Sequence, residues 1–458
     1  MFLDSRSFNL NKLYSSLVEA KIWGVASKAL AKPSPPLFYP EYTKPGGTEY
    51  VYRELEFWTS GFFPGSLYLL LERRRKYNGV LVRASPSDLH ETQLEFACKW
   101  WTENLHQNAH LGTTHDLGFM IAPWAKLAWE LNRDYKAFDT LQSSAKMLLS
   151  RFSDKVGLIR SWDTCTTKRY SFQSPEVDFM TVIDNMMNLD LLFYMAAQTG
   201  NQSMYDAAVQ HARTTQRTHL RADFSTIHLV VFDPATGDVT QRLTNQGYTD
   251  TSCWTRGQTW AIAGFAETYH WTRDESFLAT ARSCADLFLR RLPPSFIPPW
   301  DFDAVTEEEN GEGSKEPPDV SAAMIAAYGM LLIHKAMSAL GEKSEYLLAA
   351  LRITEAVCGS HMNKAARFET RTEEIQTVEH GPVQDASVLG VDMGFGETIL
   401  NGATINNHEF APRRWADHGL VYADYYFLLV GNLLLEMGVG ELIVENVLQK
   451  AKRNEVST

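Results

Sequence analysis

Apolar residues recur at three- and four-residue spacing along most of the chain, the pattern of helices that bury one face. The clearest segments are "SGFFPGSLYLLLERRRKY", "ETQLEFACKWWTENLHQ", "GFMIAPWAKLAWELN", "DYKAFDTLQSSAKMLLSRF", "VIDNMMNLDLLFYMAAQTGN", "SMYDAAVQHARTTQRTH", "RGQTWAIAGFAETYHWT" and "ESFLATARSCADLFLRRLP". Later come "DVSAAMIAAYGMLLIHKAMSAL", "SEYLLAALRITEAVCGSH", "GLVYADYYFLLVGNLLLEMG" and a last helix with a polar end. Within successive pairs one member is almost wholly apolar and the other amphipathic, which predicts an inner and an outer layer. Short polar turns such as "QTGNQS" and "HWTRDES" join them into stacked αα-hairpins. The prediction is an all-α chain closed as an (α/α)6 six-hairpin barrel, or toroid. No fixed-length repeat favours an open solenoid. Unequal loops at one rim are expected to build a site.

Two stretches break the helical period. "STIHLVVFDPATGDVTQRLT" places β-branched residues around Asp-Pro-Ala-Thr-Gly, a hairpin signature. "AARFETRTEEIQTVEHGPVQ" reads as strand or loop. Short β-hairpins at one rim are therefore expected. The acidic run Thr306–Asp319 reads as a surface loop, and residues 303–319 as a mobile segment. No linker interrupts the chain, so residues 1–458 are expected to form one catalytic domain, with 1–50 as an N-terminal extension and helix.

The 458 residues are 45% hydrophobic, enough for a large core, and include 12 Trp, whose flat faces and polar edges suit sugars as well as cores. Net charge is −12, and no basic run is long enough for nucleic acid. "RRRK", Arg73–Lys76, is expected to complement the C-terminal dipole of a helix. Five scattered cysteines, none in a C-x-x-C pair, fit a reducing compartment. "MFLDSRSFNLNKLYSSL" lacks a continuous signal-like apolar segment, and no run of about 20 apolar residues is read as a membrane span. The expectation is a soluble, cytoplasmic protein that contacts neither membrane nor nucleic acid; its oligomeric state is left open.

"THDLGFM", Thr114–Met120, sets Asp116 where the chain turns apolar. An ionised carboxylate there is costly unless it caps a helix or faces a cavity that uses its charge. Asp184 stands among Val182, Ile183, Met186 and Met187. Desolvation there would favour its neutral form and suit a general acid, while a helix N-cap is the equal alternative. Asp190, six positions on, faces elsewhere. "NQGYTDTSCWTRGQTWAIAGF", Asn245–Phe265, crowds Gln246, Tyr248, Asp250, Trp254, Arg256, Gln258 and Trp260 into one loop and a helix start. Arg256 could fork a carboxylate or pair structurally with Asp250. His228 reads first as a structural histidine. His106 and His110 share an i, i+4 face, but lack the Glu of H-E-x-x-H and a third ligand; a solvated face, no metal and no cofactor are expected. Nucleotide-binding and serine-hydrolase motifs are absent, and Gly-rich "GVDMGFGET" reads as a loop.

Six ordered segments, "FWTSGFFPGSLYLL", "THDLGFM", "VIDNMMNLDLL", "NQGYTDTSCWTRGQTWAIAGF", "PPWDFDA" and "GLVYADYYFLL", resemble the unsaturated glucuronyl hydrolases of glycoside hydrolase family 88 over Trp58–Leu429. The resemblance implies an α/α six-hairpin barrel. It also implies removal of 4-deoxy-hex-4-enuronic acid from the non-reducing end of unsaturated oligosaccharides, by hydration of the C4=C5 enol ether. Asp184 matches the acid/base Asp and Asp116 the second essential Asp. His228, Gln246, Arg256 and Trp260 match substrate-site positions; Trp58 and Trp162 look like sugar-stacking residues. Arg256 or a neighbouring donor would suit the uronate carboxylate. The chain departs from the family at "FAPRRWADH" and at the insert "RFETRTEEIQTVEHGPVQ", both expected on the aglycone side. Competing readings are an unsaturated rhamnogalacturonyl hydrolase, an epimerase using His228, and a non-catalytic sugar-binding toroid.

Overall fold

In the computed structural model, residues 8–84, 89–305, 316–364, 366–378 and 381–444 are described. The expected mobility of the acidic loop falls on residues 306–315, outside them. The polar-ended last helix is helical over 439–444, and its remainder is also outside.

Among the described residues, six mostly apolar helices form the inner wall: α2 (Phe62–Ala84), α4 (Leu117–Asn132), α6 (Leu189–Thr199), α8 (Thr255–Thr272), α10 (Val320–Ala339) and α12 (Val421–Glu436). Each packs on the next, and α12 packs back on α2, so the ring closes. The outer helices α3 (Glu91–Thr102), α5 (Tyr135–Ser150), α7 (Gln202–Thr218), α9 (Glu275–Arg291) and α11 (Tyr346–Ser360) each lie against the preceding inner helix. The expected N-terminal extension is more than that: its helix α1 (Ser16–Leu30) completes the outer layer against α3. The wall is tight where α10 meets α8. A Cβ on Gly329 would come within 2.9 Å of the Ala263 backbone nitrogen, so only glycine lets the two backbones approach this closely. α10, 20 residues or ~30 Å long, is the one described helix long and apolar enough to cross a membrane, contrary to the sequence reading; 72% of its most apolar window is buried inside the protein.

The "RRRK" segment ends the first part of α2, at a kink, as the sequence reading has it. It lies inside α2, which continues past a non-helical Tyr77. Arg73 is buried, and its guanidinium donates to Asn432 Oδ1 (2.5 Å), Leu428 O (2.8 Å) and Leu13 O (3.1 Å). It fastens the first inner helix to the last.

A repeated device turns three inner helices into their outer partners. The chain ends each with a left-handed residue, Arg133 (φ 55°), Gly200 (φ 70°) or Arg273 (φ 57°). The following Asp134, Asn201 or Asp274 then accepts from a first-turn N–H at 3.1, 3.3 or 2.9 Å. These turns are short, so the ring's other end receives the long connections.

There the expected hairpin forms. β8 (Leu229–Phe232) and β9 (Val239–Leu243) join β7 (Phe179–Val182) in a three-stranded antiparallel sheet. β1 (Phe38–Thr43) pairs with β2 (Tyr50–Glu54), with a register shift that leaves Glu41 as the extra residue. The insert forms a further hairpin, β10 (Arg367–Thr377) with β11 (Gly381–Asp392). It packs on α1, in the outer layer.

Candidate active site

The starts of the inner helices converge on a cavity of about 260 Å3. Asp116 occupies the N-cap position of α4, Asp184 the 3-10 turn Ile183–Asn188 that leads into α6, Arg256 and Trp260 the first turns of α8, and Tyr422 that of α12. All eight residues singled out from the sequence line it: Asp116, Asp184, His228, Gln246, Arg256, Trp260, Trp58 and Trp162.

Asp116 does not cap its helix, because its side chain accepts from no first-turn amide. Instead, Thr114 Oγ1 donates to its Oδ2 at 2.6 Å, and His115 Nε2 lies 3.2 Å from its Oδ1. Asn188 fixes that histidine. Its Nδ2 lies 3.3 Å from His115 Nδ1, so the acceptor nitrogen is Nδ1 and the proton sits on Nε2, facing Asp116. Asn188 Oδ1 takes the Gly118 N–H at 2.8 Å, and a Cβ on Gly118 would meet that oxygen at 2.4 Å. Thr114 also bridges to Trp162, which places that indole beside the His115 ring at 6.2 Å.

Asp184 is not an N-cap either. Antiparallel pairing of Val182 with Leu229 puts Ile183 beside His228, whose carbonyl accepts the Ile183 N–H at 2.9 Å. Asp184 therefore faces His228, with Oδ1 at 3.9 Å from Nε2. His228 Nδ1 accepts from the Asn245 N–H at 2.8 Å, so Nε2 carries the proton and points at Asp184. Asp184 Oδ1 is sealed from solvent without a hydrogen-bond partner, while the side chain as a whole keeps 22% of its surface open to the cavity. Burial is the main force raising its pKa, to about 7; Arg256 pulls it down and the charge of Asp116 pushes it up. Burial, with His219 and Arg256, lowers His228 to about 3. His228 is a neutral donor.

Arg256 corrects both of its sequence readings. It does not pair with Asp250, which faces Arg169 at 3.3 Å. Its partner is Asp319 at 2.6 Å, both groups fully buried, and its terminal nitrogens also donate to Thr404 O (2.7 Å) and Ile405 O (2.6 Å). The fork is thus occupied and serves the cavity as a fixed positive field rather than as a free carboxylate clamp. Trp260 is buried in the wall against Phe119 and Tyr426. Trp58, half-buried, leans on Tyr422 with centroids 5.1 Å apart. Gln246 Oε1 accepts from Asn406 Nδ2 at 3.1 Å, leaving its own amide hydrogens for the cavity.

Of the other lining residues, Trp254 stood in the crowded Asn245–Phe265 stretch, while Tyr422 and Glu41 were not selected from the sequence. Trp254 and Tyr422 bring Nε1 and Oη that are buried and unpartnered. Glu41 is buried at the β1 irregularity; its signal was a carboxylate among the aromatics of "FYPEYT". Asp190 is elsewhere, spent on Lys126 (2.6 Å) and Trp271 Nε1 (2.9 Å). Those residues line a larger cavity of about 460 Å3 between the C-terminal halves of the inner helices. Its lysines are already paired, Lys76 with Glu72, Lys126 with Asp190 and Lys335 with Glu436, and the two aspartates with free oxygen faces are not there. His106 is half-buried on Thr140 Oγ1 at 2.6 Å rather than solvated.

An α/α toroid holding three carboxyl groups, a neutral imidazole donor and indole faces in one cavity has the make-up of a carbohydrate-active enzyme. The sequence is 32% identical over 378 residues to an unsaturated glucuronyl hydrolase of Formosa agariphila, covering 81% of this chain and 78% of that protein. It is 31% identical over 285 residues to an unsaturated chondroitin disaccharide hydrolase of Streptococcus pneumoniae, covering 62% and 65%. A crystal structure of an unsaturated glucuronyl hydrolase specific for heparin superposes with a TM-score of 0.74 at 26% identity, over 95% of this chain and 100% of the other. No family model matches. The chain belongs to the unsaturated glucuronyl hydrolases of glycoside hydrolase family 88, and it is a glycoside hydrolase.

Proposed function

We propose that the cavity removes a terminal 4-deoxy-hex-4-enuronic acid with Asp184 as the single acid/base. Protonated Asp184 gives its proton to C4 of the enol ether. The carboxylate left behind takes a proton from the water that attacks C5, so the sum is addition of one water across the double bond. The resulting hemiketal at C5 opens, and the glycosidic bond is lost with it. A carboxyl with a pKa near 7 is suited to both halves, being neither too weak an acid nor too weak a base at neutral pH. The observation that carries the assignment is Asp184 in the cavity wall, its buried Oδ1 unpartnered beside the His228 Nε2–H and the rest of its side chain partly open to the cavity.

Asp116 contributes charge and position. Both of its oxygens are held from the protein side, which orients it toward sugar hydroxyls, and its charge favours the proton on Asp184. His228, Gln246, Trp254 and Tyr422 supply donors to the saccharide, and Trp58 and Trp162 supply ring faces. An epimerase using His228 as base is disfavoured, since Nδ1 is occupied and Nε2 is protonated with its pKa near 3. All five cysteines are free and four are buried, which supports our assignment to a reducing, cytoplasmic setting.

The test is loss of enol-ether absorbance on an unsaturated disaccharide. Asp184→Asn should lower kcat by about 10²–10⁴-fold while calorimetry still detects binding. Wild-type turnover by that variant would sink the proposal.

A further inference from the structure

Glu41 has no part in the chemistry just described, yet the fold takes trouble to aim it. β1 and β2 pair in register except between Pro40 and Tyr42, where Glu41 has no opposite residue. Such an irregularity re-aims a side chain out of the strand's alternation, and here β1 is buried on both sides from Tyr39 to Thr43. The result is a carboxyl that lines the saccharide cavity with its side chain only 7% exposed. Its ion-pair partner, Arg53 at 3.3 Å, is one-third exposed and spread over the Phe57 ring (3.8 Å), so the pair is loose. Arg413, which donates to Tyr42 Oη at 2.7 Å, acts on Glu41 from the other flank, and Glu54 opposes it. Burial nonetheless raises the Glu41 pKa to about 7.

Its place in the cavity is not that of Asp184. The charges acting on Asp184 are Arg256 and Asp116, whereas Tyr422 feels both Glu41 and Asp184. Tyr42, next to Glu41, bridges to Leu420 at the start of α12, which fixes β1 against the Tyr422 side of the cavity. We infer, resting on the hydrolase reading above, that Glu41 is a specificity residue that meets the aglycone sugar and selects a hydroxyl over an anionic substituent there. A carboxyl pairs with a hydroxyl in either protonation state, by accepting or donating. A sulfate or carboxylate at the same position meets either repulsion or the cost of protonating Glu41. Among the described residues Arg256 is the guanidinium lining the cavity and is already bound to Asp319, Thr404 and Ile405, while Arg53 and Arg413 are engaged by Glu41 and Tyr42.

The experiment compares two lyase-derived unsaturated disaccharides that differ by one sulfate on the reducing-end sugar. Wild type, Glu41→Gln and Glu41→Ala are assayed on both at pH 8, where Glu41 is mostly ionised. Wild type should prefer the unsulfated substrate, and both variants should shrink that ratio of kcat/KM about tenfold, a change of about 1.4 kcal/mol carried by KM. A purely structural role would lower activity on both substrates alike and depress Tm, which overturns the inference, as does a wild-type preference for the sulfated sugar. The same pair is titrated into Asp184→Asn with and without Glu41→Gln. If wild type turns over neither substrate but the binding ratio still shifts tenfold, Glu41 stands and the chemistry falls; an unchanged ratio removes Glu41, whatever the turnover.

Discussion

The proton on Asp184 depends on a few neighbours, and each can be removed singly. Asp116→Asn takes away the charge that favours protonation. The alkaline limb of the pH–rate profile, set by loss of the Asp184 proton, should move down from near 7, with kcat at pH 7 falling and KM rising as hydroxyl contacts are lost; a profile superimposable on wild type would refute the coupling. Arg256 depends on Asp319 in the opposite way. Both are buried, so Asp319→Ala leaves a guanidinium without its counter-ion and should cost ~3–5 kcal/mol by urea denaturation. A loss under 1 kcal/mol would mean that the carbonyls of Thr404 and Ile405 suffice. At this scale the sequence was informative about residue type and silent about partner. Asp116, Asp184 and His228 could be named as candidates. Arg256 could not be given to Asp319, because the ion pair joins positions 63 apart whose proximity exists only once the ring is closed. Glu41 was hard to place for a related reason: a carboxylate among aromatics marks it, but a one-residue shift in strand register decides which way it points, and no local pattern reports that shift.

At the level of elements, the two ends of the ring divide the labour. One end has tight turns in which an aspartate or asparagine caps α5, α7 and α9; the other carries the long loops and the site. Asp134→Ala and Asp274→Ala should each cost about 1 kcal/mol and add when combined, since they cap separate hairpins, with kcat and KM unchanged. Chemical denaturation with parallel kinetics checks both halves; a shift in KM would mean that the turns communicate with the site. These elements were the most legible part of the chain, because the 3.6-residue period and the Asx caps are local signals. The hairpin β8–β9 was legible for the same reason. Its pairing with β7, which sets Asp184 beside His228, was not, since β7 precedes it by two helices.

For the molecule as a whole, burial governs ionisation in both directions. Asp184, Glu41 and Asp424 are raised to about 7 and Glu267 to about 8, all chiefly by desolvation. Their contribution to stability is complete below the ordinary carboxyl range and is lost as pH rises through 7–8. His228 is lowered to about 3, and His106 and His219 to about 4. Their contribution is present above about 6.5 and is lost as pH falls below it. The two trends oppose each other between about pH 4 and 6.5, and above that only the carboxyls act. The melting temperature should therefore decline from about pH 6.5 to 9, and Asp184→Asn should flatten part of that decline; a flat or rising profile across this range would contradict the assignment. Closure of the ring was legible only as a preference for a toroid over a solenoid. The clamp that achieves it, Arg73 on Asn432, lay in a run that reads as the complement of a helix dipole.

The central claim is that one carboxyl, Asp184, holds its proton near neutral pH inside the shared cavity. The direct measurement is a 13C NMR titration of carboxyl-labelled protein, with the Asp184 resonance assigned by its absence in Asp184→Asn. A midpoint about 7, moving down in Asp116→Asn, is the expected result. A midpoint near 4, indifferent to Asp116, would contradict the account.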